Sequence, residues 1–145
     1  MNRKLTVKAT LVAIFFVGFF VSPVVAQSDI YKIELGERFP AAKNVKWEMD
    51  DGYMTAEFQD EFNQEVEVRY DLDANWVMTK TDMFFRNLPP IIKEVFQKSP
   101  YAQWKVDDID FIEKAGETSI YVLEVEKKEQ EHKLIITEKG VIIQR

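Results

Sequence analysis

The chain has 145 residues with 19 basic and 25 acidic side chains, no cysteine, and a formal net charge of −6. Because 46% of the residues are hydrophobic and 13% are aromatic, the composition is that of a globular protein and excludes an intrinsically disordered one. The lack of cysteine excludes disulfide bonds, a lipid anchor on cysteine and the usual cysteine-containing zinc sites.

The N-terminal segment has the order of a secretory signal peptide. Three basic residues among the first eight precede an apolar run over 11–21, which is about half of the ~20 residues that span a bilayer. Ser22-Pro23 interrupts this run, and small side chains before position 27 suit a signal peptidase. We predict a signal peptide over 1–26, cleaved after Ala26; an uncleaved N-terminal anchor is the alternative.

The charge of the exported product differs from that of the whole chain, because every charge within 1–26 is positive. The remaining 119 residues, 27–145, carry a formal charge of −9 and suit a single domain. Phosphate backbones and anionic lipids repel such a polyanion, so we expect no binding to nucleic acid or, after cleavage, to membranes. We expect a periplasmic or extracellular location and a protein or peptide partner in the cell envelope.

The first half of this domain, about 29–83, has the pattern of one helix and four strands. Helical spacing of apolar residues predicts a short helix that ends at Phe39-Pro40. The residues on which this helix depends are Ile30, Ile33, Leu35 and Phe39. Alternation of polar and apolar residues predicts strands at 44–49, 53–58, 65–70 and 76–81.

The second half, about 88–145, repeats this order. Pro90 at the first helical position predicts an amphipathic helix over 91–98, and strands are predicted at 104–113, 119–126, 132–137 and 141–143. Short similarities between the halves, at an offset of about 67 residues, indicate two weak tandem repeats. The sequence therefore predicts an α+β fold, an antiparallel β-sheet with helices packed on one face, built from two α-β-β-β(β) repeats.

Several motifs in these segments are similar to those of a known family. They are FPAAKNVKWE over 39–48, Gly52-Tyr53 followed by Glu57-Phe58, VRYDLDANW over 68–76, and Leu88-Pro89 followed by Tyr101-x-x-Trp104. The chain resembles the PepSY-like, β-lactamase-inhibitor-like (BLIP-like) family of small secreted or periplasmic proteins, chiefly of Bacteroidetes-type bacteria. The resemblance covers nearly the whole mature chain and implies the compartment and a helix-plus-antiparallel-sheet fold, without implying an activity.

One turn departs from the family pattern. Relatives usually have Asp-Gly before the tryptophan, whereas this chain has Asp73-Ala74-Asn75. Asparagine tolerates a positive φ better than alanine does. We therefore expect Asn75 to adopt the left-handed conformation in this turn.

Candidate catalytic residues are few. His132 is the only histidine and lies in a predicted strand between two charged residues, which favours a solvent-facing side chain. Adjacent carboxylates such as Asp50-Asp51 and Asp107-Asp108 are frequent in so acidic a chain and indicate solvated turns and strand faces. Neither a glycine-rich phosphate loop nor a nucleophile-elbow serine occurs. We expect a protein that is not an enzyme and has no cofactor.

One segment resembles a metal-binding loop. Asp71, Asp73 and Asn75 have the spacing of the first three ligands of a calcium loop, and Asp82 has the twelfth position. Trp76 stands where such a loop needs glycine, and the flanking segments are predicted strands, which favours a plain hairpin turn. We expect no metal, and keep Asp71, Asp73 and Asn75 as weak candidate ligands.

The aromatic residues offer a candidate partner-binding surface on the exposed face of the sheet. Its members are Trp47, Tyr53, Trp76, Tyr101 and Trp104. Aromatic side chains often anchor interfaces. The alternative is that the three tryptophans pack between the helices and the sheet, since each lies beside an alternating strand pattern.

Two functions are compatible with the sequence. The first is a non-catalytic binding or inhibitor-like module that contacts a protein or peptide through the exposed face of the sheet. The alternative is a periplasmic sensor of a small ligand or of calcium. Restraint of a protease, as attributed to PepSY domains, is an expectation that the family resemblance alone supplies.

Overall fold

The structure is a computed structural model, which describes residues 24–144 of the chain. The predicted signal peptide falls almost entirely outside these described residues, because only its last three positions belong to them. The signal peptide and its cleavage after Ala26 therefore stay predictions.

A helix followed by four strands occurs twice along the chain. The elements are α1 (Val24–Arg38), β1 (Lys43–Asp50), β2 (Tyr53–Gln59), β3 (Glu65–Tyr70), β4 (Trp76–Asp82), a short 3₁₀ helix (Phe85–Asn87), α2 (Pro90–Lys98), β5 (Lys105–Lys114), β6 (Ile120–Lys127), β7 (Gln130–Thr137) and β8 (Ile142–Gln144). The eight strands form one antiparallel sheet in sequence order. The predicted α+β class is thus confirmed, whereas the internal sequence repeat stays a prediction.

The strand register places both helices on the same face of the sheet. Val68 of β3 pairs with Thr79 of β4, and two positions further along β4 Thr81 pairs with Phe111 of β5. Phe111 pairs in turn with Tyr121 of β6. Directly paired residues of antiparallel strands lie on the same face. This face is therefore continuous from the strands under α1 to the strands under α2, and we call it the helix face.

Helix α1 packs on the sheet through part of the predicted apolar stripe, since Leu35 and Phe39 contact the core as predicted but Ile30 and Ile33 do not. Ile30 and Ile33 are 44% and 59% exposed, whereas Tyr31 and Leu35 are buried. Tyr31 can be buried without loss of hydrogen bonding, because its hydroxyl donates to the backbone carbonyl of Asp71 at 3.2 Å. The prediction of Ile30 and Ile33 as packing positions is wrong for this reason.

The core of the first half consists of side chains from α1, from strands β2 and β3, and from the turn between β3 and β4. Its buried members are Tyr31, Leu35, Ala56, Phe58, Val66, Val68, Tyr70 and Ala74. The ring of Tyr31 lies 6.0 Å from that of Tyr70 and 6.4 Å from that of Trp47, between centroids. Contacts of this kind add to the free energy of burial.

Helix α2 covers the second half through a regular apolar stripe. Pro90 stands at its first turn, where a missing N–H costs no hydrogen bond. Ile92 and Phe96, one turn apart, are buried against the strands. The other buried members of this core are Leu88, Ile109, Tyr121, Leu123, Val125, Leu134 and Ile136. Both helices leave the opposite face of the sheet uncovered.

Candidate functional site

The sheet face opposite the helices is the candidate site, and we call it the open face. Neither described helix packs on it, since both belong to the cores on the helix face. Strand alternation assigns its side chains. Those of the central strands include Glu67, Arg69, Met78, Lys80, Asp82, Asp110, Ile112, Ile120, Val122 and Ile135.

Four aliphatic residues form a contiguous patch on the open face. Ile112 pairs directly with Ile120, and Val122 pairs directly with Ile135. Val122 is only 8% exposed and the other three are half-buried. These residues, which we call the aliphatic patch, give the open face an apolar area over β5, β6 and β7.

The sequence carries a signal for this patch. Strand β6 opens with Ile120, Tyr121, Val122 and Leu123, a continuous apolar run instead of an alternating one. Such a run indicates a strand that is apolar on both faces.

A cluster of three charged residues borders the aliphatic patch. The Lys80 Nζ atom lies 3.2 Å from a carboxylate oxygen of Asp82 and 3.2 Å from one of Asp110. The Asp110 side chain is only 16% exposed. Burial raises the pKa of Asp110, and the opposing influence of Lys80 does not cancel this increase. Burial acts to lower the pKa of Lys80, but the two carboxylates outweigh it and raise that pKa.

Two further ion pairs and a hollow also lie on the open face. Arg69 pairs with Glu67 at 2.5 Å, and Lys133 pairs with Glu124 at 2.5 Å. A hollow of about 520 Å³ extends from Lys80 towards β1 over the first four strands. The open face therefore combines the aliphatic patch, a charged border and a concave region.

Four of the five candidate aromatic residues lie elsewhere, and the expectation that they share the open face is wrong for them. Only Tyr53, 36% exposed, is on this face, as its pairing with Asp50 shows. Trp47 and Trp76 are half-buried against the core under α1, and Tyr101 and Trp104 against the core under α2. A role of these side chains in partner binding stays a prediction.

The contacts of Trp47 and Trp76 show what holds these two tryptophans on the helix face. Trp47 pairs with Ala56, a fully buried residue under α1. The indole N–H of Trp76 donates to Thr79 Oγ1 at 2.9 Å, and the guanidinium of Arg38 lies 3.7 Å from its ring centroid. Helix α1 thus covers Trp76 with a cation–π contact.

His132 is exposed, as expected, but its ring stacks beside two aromatic residues on the helix face. The ring centroids of Tyr101 and Trp104 lie 5.2 and 5.3 Å from that of His132. No carboxylate or hydroxyl is hydrogen-bonded to the imidazole among the described residues. Among residues 24–144, the imidazole of His132 therefore has no hydrogen-bonded partner of the kind that a catalytic dyad uses.

The candidate calcium segment forms a closed turn. Asp71 Oδ1 accepts hydrogen bonds from the backbone N–H groups of Asp73, at 3.0 Å, and Asn75, at 2.8 Å. The Asn75 side-chain amide donates to both carboxylate oxygens. These bonds, that of the Asn75 side chain first, lower the pKa of Asp71. Within residues 24–144, no group of three or more histidine or acidic side chains is arranged to hold a metal ion.

The residue in the left-handed conformation in this turn is Ala74. The prediction that Asn75 would adopt that conformation is wrong. Ala74 has a φ of 63° and is 5% exposed. Its methyl group belongs to the core under α1, while Asn75 uses its amide to bind Asp71. Burial of the methyl group thus opposes the cost of a left-handed alanine, which is about 1–2 kcal/mol.

The fold and the open face define the class of the protein: a single antiparallel sheet with both of the helices described for residues 24–144 packed on one of its faces. Within the described part of the chain, neither helix combines the length and the apolar character that a membrane span requires. The model of a family described as "Putative beta-lactamase-inhibitor-like, PepSY-like" matches residues 52–144, well over half of the chain. The chain belongs to this PepSY-like, BLIP-like family.

Solved structures show the same fold. A BLIP-like protein from Bacteroides fragilis is 32% identical, with 80% of this chain and 82% of that chain covered and a TM-score of 0.73. A DUF2874 family protein from Bacteroides ovatus is 28% identical over 79% of this chain and 83% of that chain, with a TM-score of 0.70. A third, at 24% identity and a TM-score of 0.68 over 80% of this chain and 85% of that chain, is described as "putative periplasmic proteins from Bacteroides eggerthii". No functionally curated protein matches the chain.

Proposed function

We propose that the chain is a non-catalytic, inhibitor-like module of the bacterial envelope that binds a protein or peptide through the open face. The observation that carries the proposal is the aliphatic patch on β5 to β7, which neither described helix covers and which lies beside the charged cluster of Lys80, Asp82 and Asp110. An apolar centre with a polar border is the usual anatomy of a protein interface. The family name and the BLIP-like and periplasmic descriptions of similar proteins support the inhibitor-like role and the compartment.

The sheet is suited to binding because its other face is anchored. Strand pairing is continuous across the eight strands, and two buried cores lie beneath them. A surface held in this way loses little conformational entropy when a partner binds. The charged residues around the patch would select partners with complementary charges.

Capture from an envelope extract tests the proposal, with residues 27–145 immobilised. Ile120→Lys places a charge in the aliphatic patch, and Ile33→Lys is the matched control on the exposed side of α1, where Ile33 is 59% exposed. We expect the wild type and Ile33→Lys to retain the same partner, and Ile120→Lys to retain at least ten-fold less. Circular dichroism and melting temperatures would establish that both variants fold.

Two outcomes would refute the proposal. Equal retention by Ile120→Lys would exclude the aliphatic patch as the contact surface. Loss of the partner with Ile33→Lys, while Ile120→Lys binds normally, would assign binding to the helix side. A charge-matched unrelated protein on the same resin identifies material that is retained through acidity alone.

A further inference from the structure

A cleft of about 450 Å³ lies at one end of the sheet, where the segment between β4 and the 3₁₀ helix faces the turn between β2 and β3. We call it the linker cleft. Phe84 and Phe85, which are 42% and 38% exposed, line it together with the half-buried Met83. Two neighbouring exposed phenylalanines in a cleft form an apolar surface that a partner can cover.

The polar lining of the linker cleft is acidic. It contains the carboxylates of Glu65, Asp82, Asp107 and Asp108, and no lysine, arginine or histidine. Asp82 and Asp107 pair with lysines that lie outside the lining. Among the described residues, no ion pair involves Glu65 or Asp108. The cleft is therefore complementary to a ligand that is cationic and also apolar.

The walls of the linker cleft are joined by hydrogen bonds. Gln64, which is 5% exposed, donates to Asp60 at 2.9 Å and accepts a bond of 2.7 Å from the Asn87 side chain. On the other side, the Met83 N–H donates to the Ile109 carbonyl at 2.7 Å. The β2–β3 turn, the 3₁₀ helix and β5 are thus held together, and the cleft exists before any partner arrives.

The protein already places one cation on this aromatic surface. The guanidinium carbon of Arg86 lies 4.4 Å from the ring centroid of Phe84, within cation–π distance. Arg86 is not itself part of the cleft lining. A cationic group of a partner would compete with Arg86 for the ring of Phe84.

We propose that the linker cleft binds a basic segment of the partner protein, in which an arginine or lysine stands next to a large apolar side chain. The apolar side chain packs on Phe84 and Phe85, and the cation lies among the carboxylates. Glu65 and Asp82 belong to the open face as well, so the cleft continues that surface to the end of the sheet. The inference rests on the proposed function, whose partner it describes chemically.

Short peptides test this chemistry without the natural partner. The probe is acetyl-Phe-Arg-Leu-Arg-amide, and acetyl-Phe-Glu-Leu-Glu-amide and acetyl-Gly-Arg-Gly-Arg-amide are its controls. Titration into ¹⁵N-labelled 27–145 should shift amide signals of 83–87 and 106–109, with both controls binding at least five-fold more weakly. Equal binding of the three peptides, or shifts confined to other segments, would overturn the proposal.

Variants separate the cleft from general acidity. The double variant Glu65→Gln, Asp108→Asn should weaken binding of the arginine probe three- to ten-fold, because it removes two carboxylates whose attraction for a cation is modest at an exposed site. The matched control Glu117→Gln, Glu129→Gln changes the same charge at exposed turns and should bind normally. Arg86→Gln should strengthen binding of the arginine probe about two-fold or more, since it removes the competing cation. Weaker binding of the probe to this variant would contradict the proposal.

The experiments distinguish failure of the basic-segment proposal from failure of the proposed function. If Ile120→Lys abolishes capture of the partner but the probe peptide does not bind the cleft, the open face binds and the basic segment is wrong. If sedimentation shows a dimer that the double variant Glu65→Gln, Asp108→Asn dissociates, the cleft belongs to a second copy of this chain and the proposal is refuted.

Discussion

Replacement of Lys80 tests how the charged cluster of the open face is balanced. Lys80→Met keeps the apolar stem of the side chain but leaves Asp82 and Asp110 without their cation. Removal of one partner from a buried pair costs about 3–5 kcal/mol, whereas an exposed pair is worth about 0–1 kcal/mol. The Asp110 side chain is 16% exposed and that of Lys80 34% exposed, so this pair lies between the two cases. We expect a loss of roughly 1–2 kcal/mol at pH 7.5.

The stability deficit of Lys80→Met should depend on pH in a definite direction. Burial already holds the pKa of Asp110 above its usual value, and loss of Lys80 would raise it further. A carboxyl with a raised pKa destabilises the folded state when it is ionised, and this penalty disappears as the pH falls through the folded-state pKa. The deficit of Lys80→Met relative to the wild type should therefore shrink between pH 7.5 and pH 4.5.

Urea denaturation at both pH values measures this difference. The double variant Lys80→Met, Asp110→Asn should recover much of the lost stability at pH 7.5, because it leaves no unpaired charge at position 110. Lys105→Met, which removes an exposed lysine with two ion pairs, serves as the control and should change stability less. A deficit that is the same at both pH values, or one that the double variant deepens, would refute the electrostatic argument.

Three further predictions follow from the core, from Tyr70 and from the closed turn. Ile92→Ala removes a fully buried side chain of α2 and should cost about 2–5 kcal/mol in urea denaturation, while Ile91→Ala, at a 43% exposed position, should cost much less; equal losses would contradict the assigned helix face. Burial raises the pKa of Tyr70 from 10.0 to about 12, so the folded state should lose stability as the pH rises through that range, and Tyr70→Phe should lose less; tyrosinate absorbance at 295 nm that saturates near pH 10.5 would be inconsistent. Millimolar calcium should leave the melting temperature unchanged because the turn itself occupies the Asp71 carboxylate, and a clear increase that Asp71→Asn abolishes would establish a calcium site.

The strands could be predicted closely from the sequence because their signal is local. Alternation and turn residues determine where a strand such as Glu65–Tyr70 begins and ends, and the charged residues of β3 alternate with its buried ones. The buried stripe of α1 was harder to predict from the sequence. Isoleucine at 30 and 33 suggests burial more strongly than Tyr31 does, but the carbonyl that binds the Tyr31 hydroxyl lies 40 residues away.

The face that stays open could not be predicted from alternation. Trp47 alternates with Lys46, which shows that they lie on opposite faces without showing which face the helices cover. The conformation of Ala74 could not be predicted for a similar reason. Its methyl group packs in a core that includes residues of α1, which lies far from it in the sequence. The continuous apolar run from Ile120 was visible in the sequence, and together with the run Leu134-Ile135-Ile136 it is a local sign of the aliphatic patch.

The central claim is that a partner binds the open face, and methyl NMR of isoleucine residues measures this directly. Ile112, Ile120 and Ile135 are on the open face, whereas Ile33 and Ile91 are exposed on the helices. Addition of the captured partner to methyl-labelled 27–145 should shift or broaden the first three signals and leave the other two unchanged. Perturbation of Ile33 and Ile91 with unchanged signals from Ile112, Ile120 and Ile135 would contradict the claim.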